Sequence, residues 1–130
     1  HGMTEIEEMM NANAFDGASL KLIKTGGVLH ATEAALVLKA NNLKMNLACK
    51  IAETSLSGAA TAAIGFALGE VSWGFSMSNQ YLQFDICDQA LTAKQGHLDV
   101  AQLSGNGIGI TPQEARVKEE MASGYSLIQC

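Results

Sequence analysis

The chain has 130 residues, 48% of them apolar but only 5% aromatic, so its length allows one domain whose core is built from alanine, leucine, isoleucine and methionine. A formal net charge of −5, with no clustered lysine and arginine, argues against a nucleic-acid partner, because phosphate binding needs grouped cations. Three dispersed cysteines, Cys49, Cys87 and Cys130, read as reduced thiols of a cytoplasmic protein rather than a disulfide framework or a zinc site. No apolar run reaches membrane-spanning length and no secretory pattern opens the chain, so no membrane association is expected. His1-Gly2 ahead of Met3 reads as the remnant of an expression tag, with Met3 the expected native start.

Thr4-Glu5-Ile6-Glu7 has the form of a capping box, and Ile6, Met9 and Met10 follow at helical spacing. A helix over 5–14 follows from this, then a turn at Phe15-Asp16-Gly17. Residues 19–24 are a short apolar run closed by Gly26-Gly27 and read as a strand, with Leu20, Leu22 and Lys24 on one face and Ser19, Lys21 and Ile23 on the other. Lys21 is then either solvated on an edge strand or, if the strand is central, paired or poised for proton transfer.

The alanine- and leucine-rich stretch 28–40 carries a broad apolar stripe and reads as a packed helix ended by Asn41-Asn42. Residues 43–49 alternate as a second strand and residues 50–54 form a loop. Ser55 or Ser57 then caps a small-residue helix to Leu68, and residues 71–75, with Trp73, read as a third strand. Strand, helix, strand, helix, strand predicts a parallel, right-handed α/β unit. Its post-strand loops, 25–27, 51–54 and 76–79, share the edge where α/β folds place chemistry.

The tail differs. Residues 81–86 are strand or irregular, 96–100 alternate like a short strand, and 104–110 are glycine-rich. Thr111-Pro112 opens a helix over 113–122, with Thr111 the cap and Pro112 its first residue. Gly105-Asn106-Gly107-Ile108-Gly109 lacks the strand before it and the helix start within it that a phosphate loop needs, so it reads as a structural turn. Glu53 is the one carboxylate in the loop after the second strand, either a solvated helix-start acid or one that shares a cleft with Lys21. His30 and His97 have no ligand partners in the sequence, and Ser55 and Ser57 lie in no nucleophile elbow.

The runs Lys21-Leu22-Ile23-Lys24-Thr25-Gly26-Gly27, Ala48-Cys49-Lys50-Ile51-Ala52-Glu53-Thr54-Ser55-Leu56-Ser57-Gly58 and Gly105-Asn106-Gly107-Ile108-Gly109-Ile110, in that order, resemble the C-terminal part of the enolase superfamily. The muconate-cycloisomerase-like subgroup, with its dipeptide epimerases and o-succinylbenzoate synthases, is the best match, over roughly residues 5–121. The resemblance implies a TIM-type (β/α) barrel beside an N-terminal capping domain, using Mg²⁺ to remove a proton α to a carboxylate. It implies that Lys21 is the sixth-strand acid or base and Glu53 the seventh-strand glutamate. Lys24, Thr25, Gly26, Ser76 and Ser78 would contact the substrate. Ser76 and Ser78 stand where dipeptide epimerases carry an aspartate pair, so a dipeptide substrate is not implied. The family's metal carboxylates and second lysine belong to earlier strands, so no metal ligand is expected here and magnesium belongs only to a complete enzyme.

A whole barrel needs about 250 residues. The expectation is therefore a partial barrel segment over 4–80, with a tail over 81–130 that joins the capping domain in the full-length family. Such a C-terminal fragment is expected to be inactive alone, and to form a homo-oligomer or await a missing N-terminal half. The completed assembly would act on a small carboxylate. The alternative is a non-catalytic, self-associating α/β scaffold or binding module.

Overall fold

A computed structural model describes residues 2–121. Helix α1 (Met3–Asn11) leads into strand β1 (Gly17–Leu20), a helical turn α2 (Leu22–Thr25) and helix α3 (Val28–Ala40). Strand β2 (Lys44–Ala48), helix α4 (Ser55–Leu68) and a two-residue strand β3 (Phe75–Ser76) complete the unit. The tail holds two short 3₁₀ segments, Asn79–Tyr81 and Val100–Leu103, and helix α5 (Glu114–Glu119). The three strands pair in parallel in the order β1-β2-β3, Ala18 opposite Met45 and Leu47 opposite Phe75. This is the α/β architecture of a partial barrel expected from the sequence.

Side chains alternate across the sheet. Leu20, Met45 and Leu47 point to the face covered by α3 and α4 and join Ala31, Ala34, Ala35, Leu38, Ile64 and Leu68 in the core. The buried positions of α3 recur at three- and four-residue steps, which is why one apolar stripe of the helix seals the sheet. Leu38 and Leu47 are almost wholly enclosed, and burying each stabilises the fold by about 1.5–3 kcal/mol. The opposite face is uncovered and polar. Ser19 Oγ donates to Asn46 Oδ1 at 2.9 Å, and Asn46 Nδ2 donates to the Gly74 carbonyl at 2.8 Å and Ser76 Oγ at 3.2 Å.

The first strand is shorter than the sequence suggests. It stops at Leu20, so Leu22, Ile23 and Lys24 do not alternate across the sheet. Gly26 takes φ +90° and donates its N–H to the Leu22 carbonyl, which also accepts from Gly27. A glycine pair that can close a left-handed cap turns the preceding residues into a helical turn instead of ending a strand. Lys21 keeps an extended backbone, so it still shares the uncovered face with Ser19. Asn42 takes φ +56° after α3, the left-handed conformation expected of it.

The third strand is also displaced. Gly74, at φ +74°, closes a turn back to Val71, so Trp73 lies in that turn and pairing is confined to Phe75–Ser76. At the start of the chain the capping interaction falls earlier than read: Gly2 N–H donates to Glu5 Oε2 at 2.7 Å, and α1 ends at Asn11 rather than Ala14. In the tail, 81–86 is irregular and 96–100 holds no strand beyond an isolated bridge between Lys94 and His97. Helix α5 begins at Glu114 with Gln113 as its cap position, so Pro112 precedes the helix and Thr111 does not cap it. The expected end of this helix at Ala122, and Cys130, lie outside the described residues.

The tail packs against α4, away from the open face of the sheet. Gly58 faces Leu91 so closely that an added Cβ would lie 3.3 Å from its Cδ1, while Gly65 faces Leu47 on the sheet side. The small residues of α4 thus serve two neighbours at once. The glycine-rich segment is a closed turn: Gly109 donates to Asn106, Gly105 donates to Gly109, and a Cβ on Gly109 would sit 2.3 Å from the Leu103 carbonyl oxygen.

Candidate active site

Parallel pairing brings the ends of β1, β2 and β3 to one edge of the sheet, and Lys21, Cys49, Glu53 and Ser78 gather there. Lys21, half-buried, donates from Nζ to the Cys49 carbonyl at 3.4 Å. Strand β1 is an edge strand, as in the first reading of this lysine, yet the ammonium is half-buried and finds a carbonyl on the neighbouring strand instead of bulk solvent alone.

Glu53 ends a tight turn that begins at Lys50, with its N–H donating to the Lys50 carbonyl at 3.2 Å. Its carboxylate is not left to solvent: Ser57 Oγ donates to Oε2 at 3.0 Å. Burial, and then the neighbouring Glu53 carboxylate, push the Cys49 thiol above its ordinary value, so it stays neutral. Ser78, 4% exposed, donates from Oγ to the Lys50 carbonyl at 2.6 Å and accepts from the Glu53 N–H at 3.2 Å.

The other residues singled out in the sequence sit around this group in different ways. Thr25 Oγ1 donates to the Lys21 carbonyl at 3.1 Å and Gly26 supplies the left-handed cap, so both shape the turn that follows Lys21. Lys24 is exposed. Ser76 is exposed on the uncovered face, where it accepts from Asn46. Cys49, Ser57 and Asn46 were not singled out as site residues. For Ser57 a signal existed, because it lies four residues after Glu53 at a helix start. For Cys49 and Asn46 there was none beyond their place on β2.

Behind the edge lies a second, buried polar cluster. Neither Ser55 nor Ser57 caps α4: Thr54 holds the cap position without a side-chain bond, and Asp85, from the tail, accepts from Ser55 N–H at 2.8 Å and Ser55 Oγ at 2.6 Å. A carboxylate at a helix N-terminus also meets the helix dipole favourably. Ser55 Oγ in turn accepts from Asn79 Nδ2 at 3.1 Å and Leu91 N–H at 2.8 Å. Burial pushes Asp85 up, yet hydrogen bonds from Ser55 and Cys87 outweigh it and hold the carboxyl below its ordinary value. Burial and then Asp85 push the Cys87 thiol up to about 11. This cluster anchors the tail that carries Ser78 close to the site.

Among the described residues no group of three or more His, Cys, Asp or Glu is placed to hold a metal ion, and no helix is long and apolar enough to cross a membrane. His30 and His97 are exposed.

A parallel βαβαβ unit with a lysine and a carboxylate at the C-terminal edge of its sheet is the building block of (β/α) barrels and doubly wound sheets, which both place their chemistry there. The chain belongs to the Enolase C-terminal domain-like family, whose profile matches residues 1–116. Solved structures agree with this fold. It is similar to the 2-chloromuconate cycloisomerase of Rhodococcus opacus 1CP, with TM-score 0.80 and 24% identity over 89% of this chain and 31% of that one. It is similar to the muconate cycloisomerase of Pseudomonas fluorescens, with TM-score 0.78 and 20% identity over 91% and 32%. It is similar to the N-succinyl Arg/Lys racemase of Bacillus cereus ATCC 14579, with TM-score 0.77 and 19% identity over 91% and 31%. The chain therefore spans about a third of the length of these proteins. No curated protein sequence matches it.

Proposed function

We propose that this chain supplies the closing segment of a larger enolase-superfamily barrel that removes the proton α to a carboxylate, as a racemase, epimerase or cycloisomerase. The observation that carries the reading is the Lys21 ammonium, which is held at the loop edge by the end of the neighbouring strand, beside the turn that presents Glu53. Lys21 takes or returns the substrate's α-proton. Glu53, in the turn after β2, is the second polar group of the site. Lys24 and Ser76, exposed at the same edge, are the contacts offered to a small carboxylate substrate, and Thr25 and Gly26 shape the turn beside them. Positioning of this kind, with general acid–base transfer, contributes about 10²–10⁴-fold to such a step.

Relatives of this kind use Mg²⁺ to stabilise the charge that the carboxylate gains. The carboxylates among the described residues do not gather into a group that fits the ion, so no step of this chain runs through it. Metal binding belongs to the other part of the barrel. The buried, unpaired Cys49 and Cys87 suit a reducing, cytoplasmic setting.

The chain needs a partner for a physical reason. Strands β1 and β3 are both edges, and edge strands template further pairing. Beside β1, a cavity of about 380 Å³ is lined by Ile6, Met9, Phe15, Ala18 and Leu20 with Lys21 at its rim. That apolar cavity also favours the second reading, in which the chain is a self-associating scaffold that uses the same edge without catalysis. One experiment separates the two. The chain is joined with a polypeptide supplying the preceding strands, and exchange of the α-proton of small carboxylates with D₂O is followed by NMR. Exchange that disappears in Lys21→Met supports the enzymatic reading; exchange that persists at the wild-type rate in Lys21→Met removes it.

A further inference from the structure

Cys49 leaves β2 at the point where the sheet meets its loops, and its carbonyl accepts from Lys21 Nζ at 3.4 Å. The turn between Cys49 and Glu53 carries local strain. Ala52 has φ +65°, a conformation that disfavours any residue with a Cβ by about 1–2 kcal/mol. Such a conformation persists only where surrounding contacts over-determine it. Ser78 supplies those contacts: its hydroxyl bridges the two ends of the turn, donating to Lys50 O and accepting from Glu53 N–H. With Ser78 buried and its hydroxyl proton committed to Lys50, it has no donor left for a substrate.

We propose that Ser78 is a positioning residue, locking the strained turn that presents Glu53. The proposal rests on the reading of Lys21 and Glu53 as the reacting groups, and it concerns geometry that can be measured without turnover. Small displacements of reacting groups cost orders of magnitude in rate, which is why a site gains from a turn held on both sides.

The test uses the full 130-residue chain and solution NMR. In Ser78→Ala, exchange of the Glu53 amide with solvent is expected to accelerate at least tenfold, while the amides of Ala35 and Leu38 stay within twofold. Ser78→Thr, which keeps the hydroxyl, restores the wild-type rate. An unchanged Glu53 amide in Ser78→Ala overturns the role of Ser78. So does parallel acceleration at Ala35 and Leu38, which would make the hydroxyl a general support of the fold. If the geometry behaves as stated but Lys21→Met leaves α-proton exchange intact, the positioning stands and the catalytic reading alone falls.

Discussion

Lys21 and Cys49 are 28 residues apart in the chain, yet the Lys21 ammonium reaches the Cys49 carbonyl at 3.4 Å. Helix α3 makes this contact possible. It crosses from the end of β1 to the start of β2, so both strands run the same way and end together. An amine held by a backbone carbonyl beside an anchored carboxylate is oriented before a substrate arrives. Lys21→Met keeps most of the stem and removes the charge. Its expected effect is a loss of α-proton exchange of about 10²–10⁴-fold in the completed barrel. Thermal unfolding of the chain should move by no more than about 0.5 kcal/mol. NMR exchange and a melting curve on the same sample check both halves.

The buried pair Ser55–Asp85 makes a different prediction, about stability. Asp85 caps α4 from the tail and accepts three hydrogen bonds, from Ser55 N–H, Ser55 Oγ and Cys87 N–H. Asp85→Ala strands those buried donors and is expected to destabilise the chain by about 2–4 kcal/mol at pH 7. The pH dependence follows from the lowered carboxyl. The unfolded carboxyl titrates near about 3.9, so the stabilisation is complete above that pH and is lost as pH falls through the lower folded value. Denaturant unfolding at several pH values should show wild type and variant converging only in strong acid. A gap that stayed constant down to that range would contradict the ionised cap.

How much of this was legible before folding depended on the separation of the partners. Helix α3 was readable over its whole length because Ala31, Ala34, Ala35 and Leu38 repeat at helical spacing. Strand β2 was readable from the alternation of Met45 and Leu47 with polar neighbours. The end of β1 was misread because Leu22-Ile23 fits either a strand or a helical turn, and Gly26 settles the matter only through a cap contact with Leu22. Trp73 suggested a strand that the turn at Gly74 prevents. The cap on α4 was beyond local reading, since Asp85 lies 30 residues from Ser55. At the site, Lys21 and Glu53 were singled out by the family resemblance, and the structure brings the Lys21 ammonium and the Glu53 turn to the end of β2. The hydroxyls that hold Glu53 were not legible, apart from Ser57 at a spacing of four.

Glu53 and Cys49 can be tested through each other. Removing the Glu53 charge while keeping its shape, as in Glu53→Gln, takes away one of the two influences that push the Cys49 thiol up; burial remains. The thiolate then forms more readily, so the pH of half-maximal Cys49 alkylation falls. Iodoacetamide labelling across pH, read peptide by peptide by mass spectrometry, keeps Cys49 apart from the other cysteines. A profile that stayed put or moved upward would show that the carboxylate does not face the thiol.

Gly17 tests the register of the sheet. A Cβ added there would lie 2.2 Å from the Lys44 carbonyl oxygen and 2.8 Å from a ring carbon of Trp73. The carbonyl belongs to the partner strand, so the clash cannot be relieved by turning a side chain. Gly17→Ala is expected to destabilise by about 3 kcal/mol, at the upper end of what overpacking usually costs. Urea unfolding measures this, and Gly96→Ala is the control at an exposed position with no atom within 4 Å of the added Cβ. Gly96 also has positive φ, so the control itself loses some stability, and the informative quantity is the excess at Gly17.

The open edge of β1 leads to a last prediction. Met9 is 45% exposed and lines the apolar cavity beside that edge, with Ile6 and Phe15 as neighbours. Parallel sheets are normally covered on both faces and paired along their length, and here neither condition holds on the β1 side. Two copies of the chain should therefore associate through this edge at micromolar concentration when no completing segment is present. Met9→Lys places an ammonium where the second chain would bury apolar surface, without disturbing a core residue. Its expected effect is a weakening of self-association by at least tenfold, equivalent to about 1.4 kcal/mol, with the monomer's unfolding curve unchanged. Sedimentation equilibrium of wild type and variant measures it. A wild-type mass of one compact chain at all concentrations would mean that the edge is sealed in solution, and with it would go the physical case for a required partner.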